Sequence, residues 1–355
     1  MNTPIPHNAP LITATDRAAV DAVLASGWIA QGPEVAWLES DFDTLYGGGG
    51  SCALSSGTAA LFLGLKVLGA APRARVAVPT YACSALLNAV YMAGAEPLVC
   101  DVRRHDYNLD PDSLRCLSGG NMPPATIAVH TYGAPADVAA IAECGGAVIE
   151  DCCQSLGGKR DERLIGAEGA LAVFSFYATK IVTSGQGGML RDPKGDFATA
   201  AHDYRSFDCR ETYEPRFNLH MSDIAAATAR SQLARLEAIA ARRRDIAQRY
   251  LAALPRGVEV MAGTGDEGRM VYRFVLEFPN GESRDRARDS FRENDIATII
   301  PLERYELLHR YLRLDPADYP VAEALVDVTL SLPIYPALTE DGVGRICQAL
   351  SRLEA

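Results

Sequence analysis

Ala170-Leu171-Ala172-Val173-Phe174-Ser175-Phe176-Tyr177-Ala178-Thr179-Lys180 is an apolar run that ends on a lysine, and Gly185-Gln186-Gly187-Gly188 follows it as a tight turn. The part from Ala170 to Phe176 carries no charge and has the length of a strand buried on both faces. A lysine leaving such a strand is expensive unless it is deprotonated or covalently used, because burial disfavours the ammonium form and lowers its pKa. Lowered basicity is also what makes a lysine a Schiff-base nucleophile. Only four lysines stand among the 34 basic residues, so each can be judged singly. Lys159 and Lys194 lie in glycine- and proline-containing turns, and Lys66 lies in a helical stretch from which its stem reaches water. Lys180 is the candidate for chemistry.

A second apolar run, Gly146-Ala147-Val148-Ile149-Glu150-Asp151, terminates in two acids. A carboxylate can stay at a strand end, where α/β sheets place their ligand crevices. An aspartate there is equally suited to capping a loop or pairing with arginine. A pyridine cofactor would use it to keep the ring nitrogen protonated and the ring an electron sink. Nearer the start, Ser55-Ser56-Gly57-Thr58-Ala59-Ala60-Leu61 places a glycine and hydroxyls just before an apolar helix. Free amides at that helix start, helped by its dipole, suit a phosphate, although the same residues also make an ordinary N-cap.

From Cys52 to about Leu190 short β-rich runs alternate with helical stretches. The runs are Arg75 to Val78, Glu96 to Val102, Ala125 to Val129, Ala147 to Ile149, Ala170 to Phe176 and Gly188 to Arg191. That alternation predicts a layered α/β domain. Two amphipathic helices precede it, Thr15 to Ser26 and Glu34 to Tyr46. After it, Ser222 to Leu254 keeps near-helical apolar spacing with no proline until Pro255 and reads as one long helix, with the domain boundary along it. A strand at Val271 to Phe278, a helix from Ser283 to Glu293, a strand at Ile296 to Ile300 and a last helix after Thr339 complete a small α+β domain. The expected division is residues 1–235 and 236–355.

The chain has 355 residues, 48% of them hydrophobic and 22% charged, with a net charge of −11. Its basic residues are interspersed with acidic ones, so no electrostatic footprint for nucleic acid or anionic membrane is expected. The longest apolar stretch, Ala53 to Ala71, is interrupted by polar residues and Lys66, which argues against a membrane span. Nine cysteines, odd in number and without metal-ligand spacing, read as reduced cytoplasmic protein, and six dispersed histidines give no zinc pattern. Neither a Gly-x-x-x-x-Gly-Lys-Ser/Thr loop nor a Gly-x-Gly-x-x-Gly after the first predicted strand is present.

Taken in order, these motifs resemble the DegT-type aminotransferases. The resemblance runs from Ser26-Gly27-Trp28 and Gly32-Pro33 through Ser56-Gly57-Thr58-Ala59-Ala60-Leu61, Val78-Pro79-Thr80-Tyr81 and His130-Thr131-Tyr132-Gly133. It continues with Ile149-Glu150-Asp151-Cys152-Cys153-Gln154, Phe174-Ser175-Phe176-Tyr177-Ala178-Thr179-Lys180, and Leu332-Pro333-Ile334-Tyr335-Pro336. It implies an aspartate-aminotransferase-like fold, α/β with a mixed, mostly parallel central sheet and a small C-terminal α+β domain. It also implies pyridoxal 5'-phosphate (PLP) as a Schiff base on Lys180. Asp151 would pair with the pyridine nitrogen and Gln154 approach the ring hydroxyl, while Gly57, Thr58, Ala59 and Ser175 hold the phosphate. Asn218 would reach the phosphate of a neighbouring subunit, which implies a homodimer with shared sites. Cys83 stands where many members stack an aromatic ring on the cofactor, and His220 where an Asn-x-Arg pattern usually has arginine. Trp28, Tyr177, His220 and Tyr305 are the substrate-facing candidates.

The activity implied is transfer of an amino group from glutamate or glutamine to a keto-sugar, nucleotide-linked, in amino-sugar biosynthesis. Alternatives are a cyclitol or other ketone as acceptor, an elimination, and a non-catalytic ligand sensor on the same scaffold. Family dehydratases replace the lysine, and Lys180 is retained, which favours transamination. Retention of Lys180 together with Asp151 argues against a sensor.

Overall fold

The apolar runs between Gly50 and Asp192 become the strands of one sheet, and the computed structural model describes residues 3–144 and 146–353. In chain order these strands are β1 (Gly50–Leu54), β2 (Arg75–Pro79), β3 (Glu96–Cys100), β4 (Ala125–Val129) and β5 (Ala147–Asp151). A small hairpin of β6 (Lys159–Arg160) and β7 (Arg163–Leu164) stands apart, followed by β8 (Leu171–Ser175) and β9 (Gly188–Asp192). The seven-stranded sheet has the order β1-β9-β8-β5-β4-β2-β3. Every pair from β3 across to β8 is parallel, and only β9 runs against its neighbours. The C-terminal ends of β1 to β5 and β8 therefore share one edge, and β9 begins at that edge. Strand β1 was not expected from the sequence, because Gly-Ser-Cys-Ala offers small residues and little β propensity.

The uniformly apolar character of β8 follows from its two-sided burial. Ala172 and Phe174 face a core with Leu38 and Phe42, whereas Leu171 and Val173 face a second core with Leu61 and Leu65. Helix α2 (Pro33–Leu45), which follows α1 (Ala14–Ser26), supplies part of the first face, and α3 (Gly57–Val67) and α4 (Ala85–Met92) supply the second. Helices α5 (Pro111–Ser118), α6 (Val138–Glu143) and α7 (Ala198–Arg205) complete the layers. The N-terminus of α2 has no side-chain cap of its own. Asp223 provides one from across the chain, accepting from Gly32 N at 2.7 Å and Val35 N at 3.2 Å.

The single helix expected over Ser222 to Leu254 is instead two, α8 (Asp223–Leu233) and α9 (Leu236–Ala253). Arg235, at φ −112° and ψ 13°, breaks the ladder. Buried Asp16 draws the Arg235 guanidinium to 2.6 Å and also accepts from Ser231 Oγ at 2.7 Å, so α8 is tied to α1 before α9 turns away. Neither glycine nor proline marks this break, and apolar spacing continues through it.

Beyond α9 the chain forms a three-stranded antiparallel sheet of β10 (Glu259–Val260), β11 (Phe274–Glu277) and β12 (Thr329–Leu332). Helices α10 (Gly281–Glu293), α11 (Leu308–Tyr311), α12 (Pro320–Val328) and α13 (Glu340–Leu350) accompany it. Tyr250, Phe274, Phe291 and Ile346 lie in its core. The fold is thus α/β with a mostly parallel central sheet plus a small α+β unit. The strand expected at Ile296 to Ile300 is not a strand but two isolated bridges, Ile296 to Ile5 and Ile299 to Ser331. Pro4 and Pro6 flank Ile5 and lack the N–H groups that would extend that ladder. The outer ends of the expected division, residues 1–2 and 354–355, lie outside the described residues.

One fully buried cation joins the small sheet to α9. Arg243 Nη1 donates to the carbonyls of Val271, Tyr272 and Ile334 at 3.3, 3.3 and 3.0 Å. Burial lowers its pKa to about 10. The latch fixes the segment that carries Tyr272 and Arg273 toward the parallel sheet.

Candidate active site

The strand ends that share one edge surround a cavity of about 430 Å³. Asp151 closes β5 and Lys180 lies beyond the end of β8, the strand paired with β5 in register Asp151 to Val173. Both side chains line the cavity. Strand alternation separates the two acids of the Glu150-Asp151 pair. Glu150 points into the fold, accepting from His130 Nε2 at 3.0 Å and from the amides of Gly166, Glu168 and Gly169 at 3.1, 2.8 and 2.7 Å. Desolvation opposes its charge, but these donors outweigh it and hold its carboxyl below the ordinary glutamate range. Asp151 points into the cavity, with Oδ1 accepting from Cys153 N at 3.0 Å.

In the same lining, Ser56 caps α3 by accepting from Ala59 N at 3.1 Å, which uses the Ala59 amide and leaves those of Gly57 and Thr58 at the helix start. The approach is close because Gly57 has no side chain. A Cβ there would stand 3.0 Å from Ser175 Cβ and 3.2 Å from Cys153 Sγ. A Cβ on Gly188 would meet the Ser56 carbonyl at 2.4 Å, so that glycine seats β9 against the same turn. Two amides, the Thr58 and Ser175 hydroxyls and a helix dipole converge here, which is an oxyanion site. Gln154 Oε1 accepts from Tyr132 N at 2.8 Å, so its amide NH₂ is the group left for the cavity.

The charge state of Lys180 departs from the expectation of a lowered pKa. Burial does work against its ammonium, but Tyr272, Cys153, Asp151 and Cys83 together outweigh it and raise the pKa above the ordinary lysine value. Lys180 Nζ lies 5.3 Å from the Tyr272 ring centroid. Tyr272 responds in the opposite direction. Desolvation disfavours its phenolate, yet Lys180, Arg273 and a hydrogen bond from Thr179 lower its pKa below that of an ordinary tyrosine.

Of the residues singled out in the sequence, Gly57, Thr58, Cys83, Asp151, Gln154, Ser175, Tyr177 and Lys180 come together around this cavity. Ala59, in the first turn of α3, is buried and outside the lining. Trp28 and Tyr305 are exposed and stand outside the lining, as do Asn218 and His220 on the segment before α8. Sequence reasoning missed Tyr81, Tyr132, Arg273, Glu306 and Tyr311, all of which line it. Tyr81 and Tyr132 lay inside the ordered motifs without a role of their own, and Arg273 was signalled by a charge in the run Val271 to Leu276.

A model of the DegT/DnrJ/EryC1/StrS aminotransferase family matches residues 10–351. The spore coat polysaccharide biosynthesis protein SpsC of Bacillus subtilis is 30% identical, with 98% of this chain and 96% of that protein covered. The crystal structure of the aminotransferase TlmJ from Streptoalloteichus hindustanus is 29% identical and superposes with a TM-score of 0.86, with 98% of each chain covered. The fold is also that of Spr1654 from Streptococcus pneumoniae in its PLP form, at 22% identity and TM-score 0.90, over 99% of this chain and 98% of that one.

The cavity residues fit PLP, the cofactor of such enzymes. Gly57, Thr58 and Ser175 offer donors for its phosphate, Asp151 a buried carboxylate for its ring nitrogen, Gln154 an amide for its ring hydroxyl, and Lys180 the amine for its aldehyde. When bound, it supplies an electron sink for bonds at the carbon that carries the amine.

Proposed function

The chain belongs to the DegT/DnrJ/EryC1/StrS aminotransferase family, PLP-dependent enzymes that include sugar aminotransferases, and from that premise we propose a specific reaction for it. It takes an amino group from glutamate or glutamine and gives it to a keto-sugar carried on a nucleotide, in amino-sugar biosynthesis. The observation that carries this reading is the meeting of Lys180 and Asp151, from the ends of adjacent parallel strands, with the Gly57 turn in one cavity. Lys180 bonds the cofactor and, when released, holds and moves the proton at the substrate carbon from its Nζ. Asp151 keeps its carboxylate toward the ring nitrogen. Tyr272 holds negative potential beside Nζ, and half-exposed Tyr177 stands at the cavity wall where an acceptor enters.

We infer a homodimer with shared sites. Asn218 is exposed and does not line its own chain's cavity, and the same segment leaves Phe207 and Tyr213 exposed. Division at residues 235/236 and a cytoplasmic location belong to the same proposal. All nine cysteines are unpaired, and among the described residues no helix is long and apolar enough to cross a membrane.

The test begins with purified protein loaded with PLP. Glutamate or glutamine should convert its visible band to the pyridoxamine form, and a nucleotide-linked keto-sugar should convert it back. Conversion by neither donor refutes the donor assignment. Turnover with cyclitol ketones, and with no nucleotide sugar, refutes the acceptor assignment. A Lys180→Ala variant that retains a borohydride-reducible linkage would refute the role of Lys180.

A further inference from the structure

Arg273 is held by its faces and not by its donors. Its guanidinium carbon lies 5.4 Å from the Tyr132 ring centroid and 5.7 Å from that of Tyr272, contacts that attract the cation without using an N–H. Nε and Nη1 are buried and have no hydrogen-bond partner among the described residues. Leaving such donors unpaired is costly, and native interiors rarely do so without a reason. The residue lines the cavity, and the Tyr272 ring it touches is the one that Lys180 Nζ approaches at 5.3 Å.

Four charged residues line the cavity: Asp151, Lys180, Arg273 and Glu306. Asp151 and Lys180 are committed to the cofactor. Glu306 is engaged by its own turn, accepting from Glu303 N at 2.8 Å through Oε2. Among the described residues lining the cavity, Arg273 is then the one cation left for substrate. His220 does not compensate, since it lies outside this lining and burial, followed by Arg205, lowers its pKa and favours the neutral ring.

We propose that Arg273 is a specificity-determining residue that binds the α-carboxylate of the amino donor through the part of its guanidinium that faces the cavity. The inference rests on the aminotransferase reading above. Glutamate and glutamine both carry a carboxylate on the carbon that gives up the amine, so the carboxylate must arrive beside Lys180 whenever that amine does. Arginine presents parallel donors in a planar fork that matches a carboxylate, and two aromatic faces hold that plane in place. A phosphate or carboxylate on the acceptor is the competing source of the same chemistry.

The experiment uses PLP-loaded wild type, Arg273→Gln and Arg273→Lys, all checked for equal cofactor content and unchanged visible spectra. The donor half-reaction is followed by loss of the visible band, with glutamate and with isoglutamine, whose α-carboxylate is an amide. Arg273→Gln should raise the glutamate concentration for half-maximal rate about 10- to 100-fold, the range for losing a charge-assisted hydrogen bond. Arg273→Lys should recover part of this, and isoglutamine should react alike with all three proteins. An unchanged glutamate dependence overturns the proposal. An equal loss with isoglutamine also does, since that is a structural effect, and a loss confined to the acceptor half-reaction assigns the anion to the acceptor. Calorimetric titration with glutarate, which cannot react, reads the same site if no donor is turned over. Weaker binding to Arg273→Gln supports the site, and equal binding overturns it.

Discussion

Replacing Gly57 by alanine should weaken cofactor binding while leaving the fold in place. Its backbone is in an ordinary conformation, so alanine is not excluded by φ, and helix propensity favours alanine over glycine by up to about 1 kcal/mol. Against this, the new methyl would stand 3.0 Å from Ser175 Cβ and 3.2 Å from Cys153 Sγ, an overpacking that costs roughly 1–3 kcal/mol. The difference is a destabilisation of about 2 kcal/mol at most when the full propensity gain is realised, so the apoprotein should melt within a few degrees of wild type. The cofactor responds differently, because relief of the clash moves Ser175, whose Oγ is 3.4 Å from the added methyl, away from the amides at the start of α3. One charge-assisted hydrogen bond to phosphate is worth about 1.5–3 kcal/mol, so PLP affinity should fall about 10- to 100-fold. Apoprotein is titrated with PLP by absorbance, and thermal melts are recorded with and without cofactor. If Gly57→Ala binds PLP as tightly as wild type, the phosphate does not lie at this turn.

Three further outcomes are expected. Tyr272→Phe should lower the pKa of Lys180, because the phenol is the largest contributor raising it, so the pH midpoint for the rate at which apoprotein takes up PLP should move down; an unmoved midpoint refutes the coupling. Glu150→Ala strands a buried histidine N–H and three amides and should cost about 3–5 kcal/mol at neutral pH by denaturant unfolding. Because the folded-state pKa of Glu150 is depressed, that advantage of wild type is fully present above the ordinary glutamate pKa and shrinks as pH falls through the folded value; a constant difference down to acid pH would contradict the assignment. Co-expressed Lys180→Ala and Asn218→Ala chains, each inactive alone, should regain roughly a quarter of wild-type activity, because about half of randomly assorted dimers are mixed and each mixed dimer has one intact site of two, and no recovery would place Asn218 outside the neighbouring site.

Strand runs and the residues at their ends were legible because two-sided burial demands continuous apolar sequence and a sharp stop at the sheet edge. Hence Asp151, Lys180 and the Gly57 turn could be named before their positions were known. The ordered motifs added the cofactor. The α8/α9 break was not legible, since it is imposed by Asp16 drawing Arg235 toward α1, and no glycine or proline records it. The isolated bridges at Ile296 and Ile299 were equally hidden, depending on partners at Ile5 and Ser331, distant in the chain.

By itself, then, the sequence determined which side chains would stand at the edge of a parallel sheet, because burial and period are local properties of a run. Only the tertiary structure decided which of them share a cavity, what charge Lys180 holds, and that an arginine from the small sheet reaches the same ring as Lys180. The physical reason is that electrostatic environment and unpaired donors depend on spatial neighbours, and here the decisive neighbours, Tyr272 and Arg273, come from another part of the chain, latched in place by Arg243.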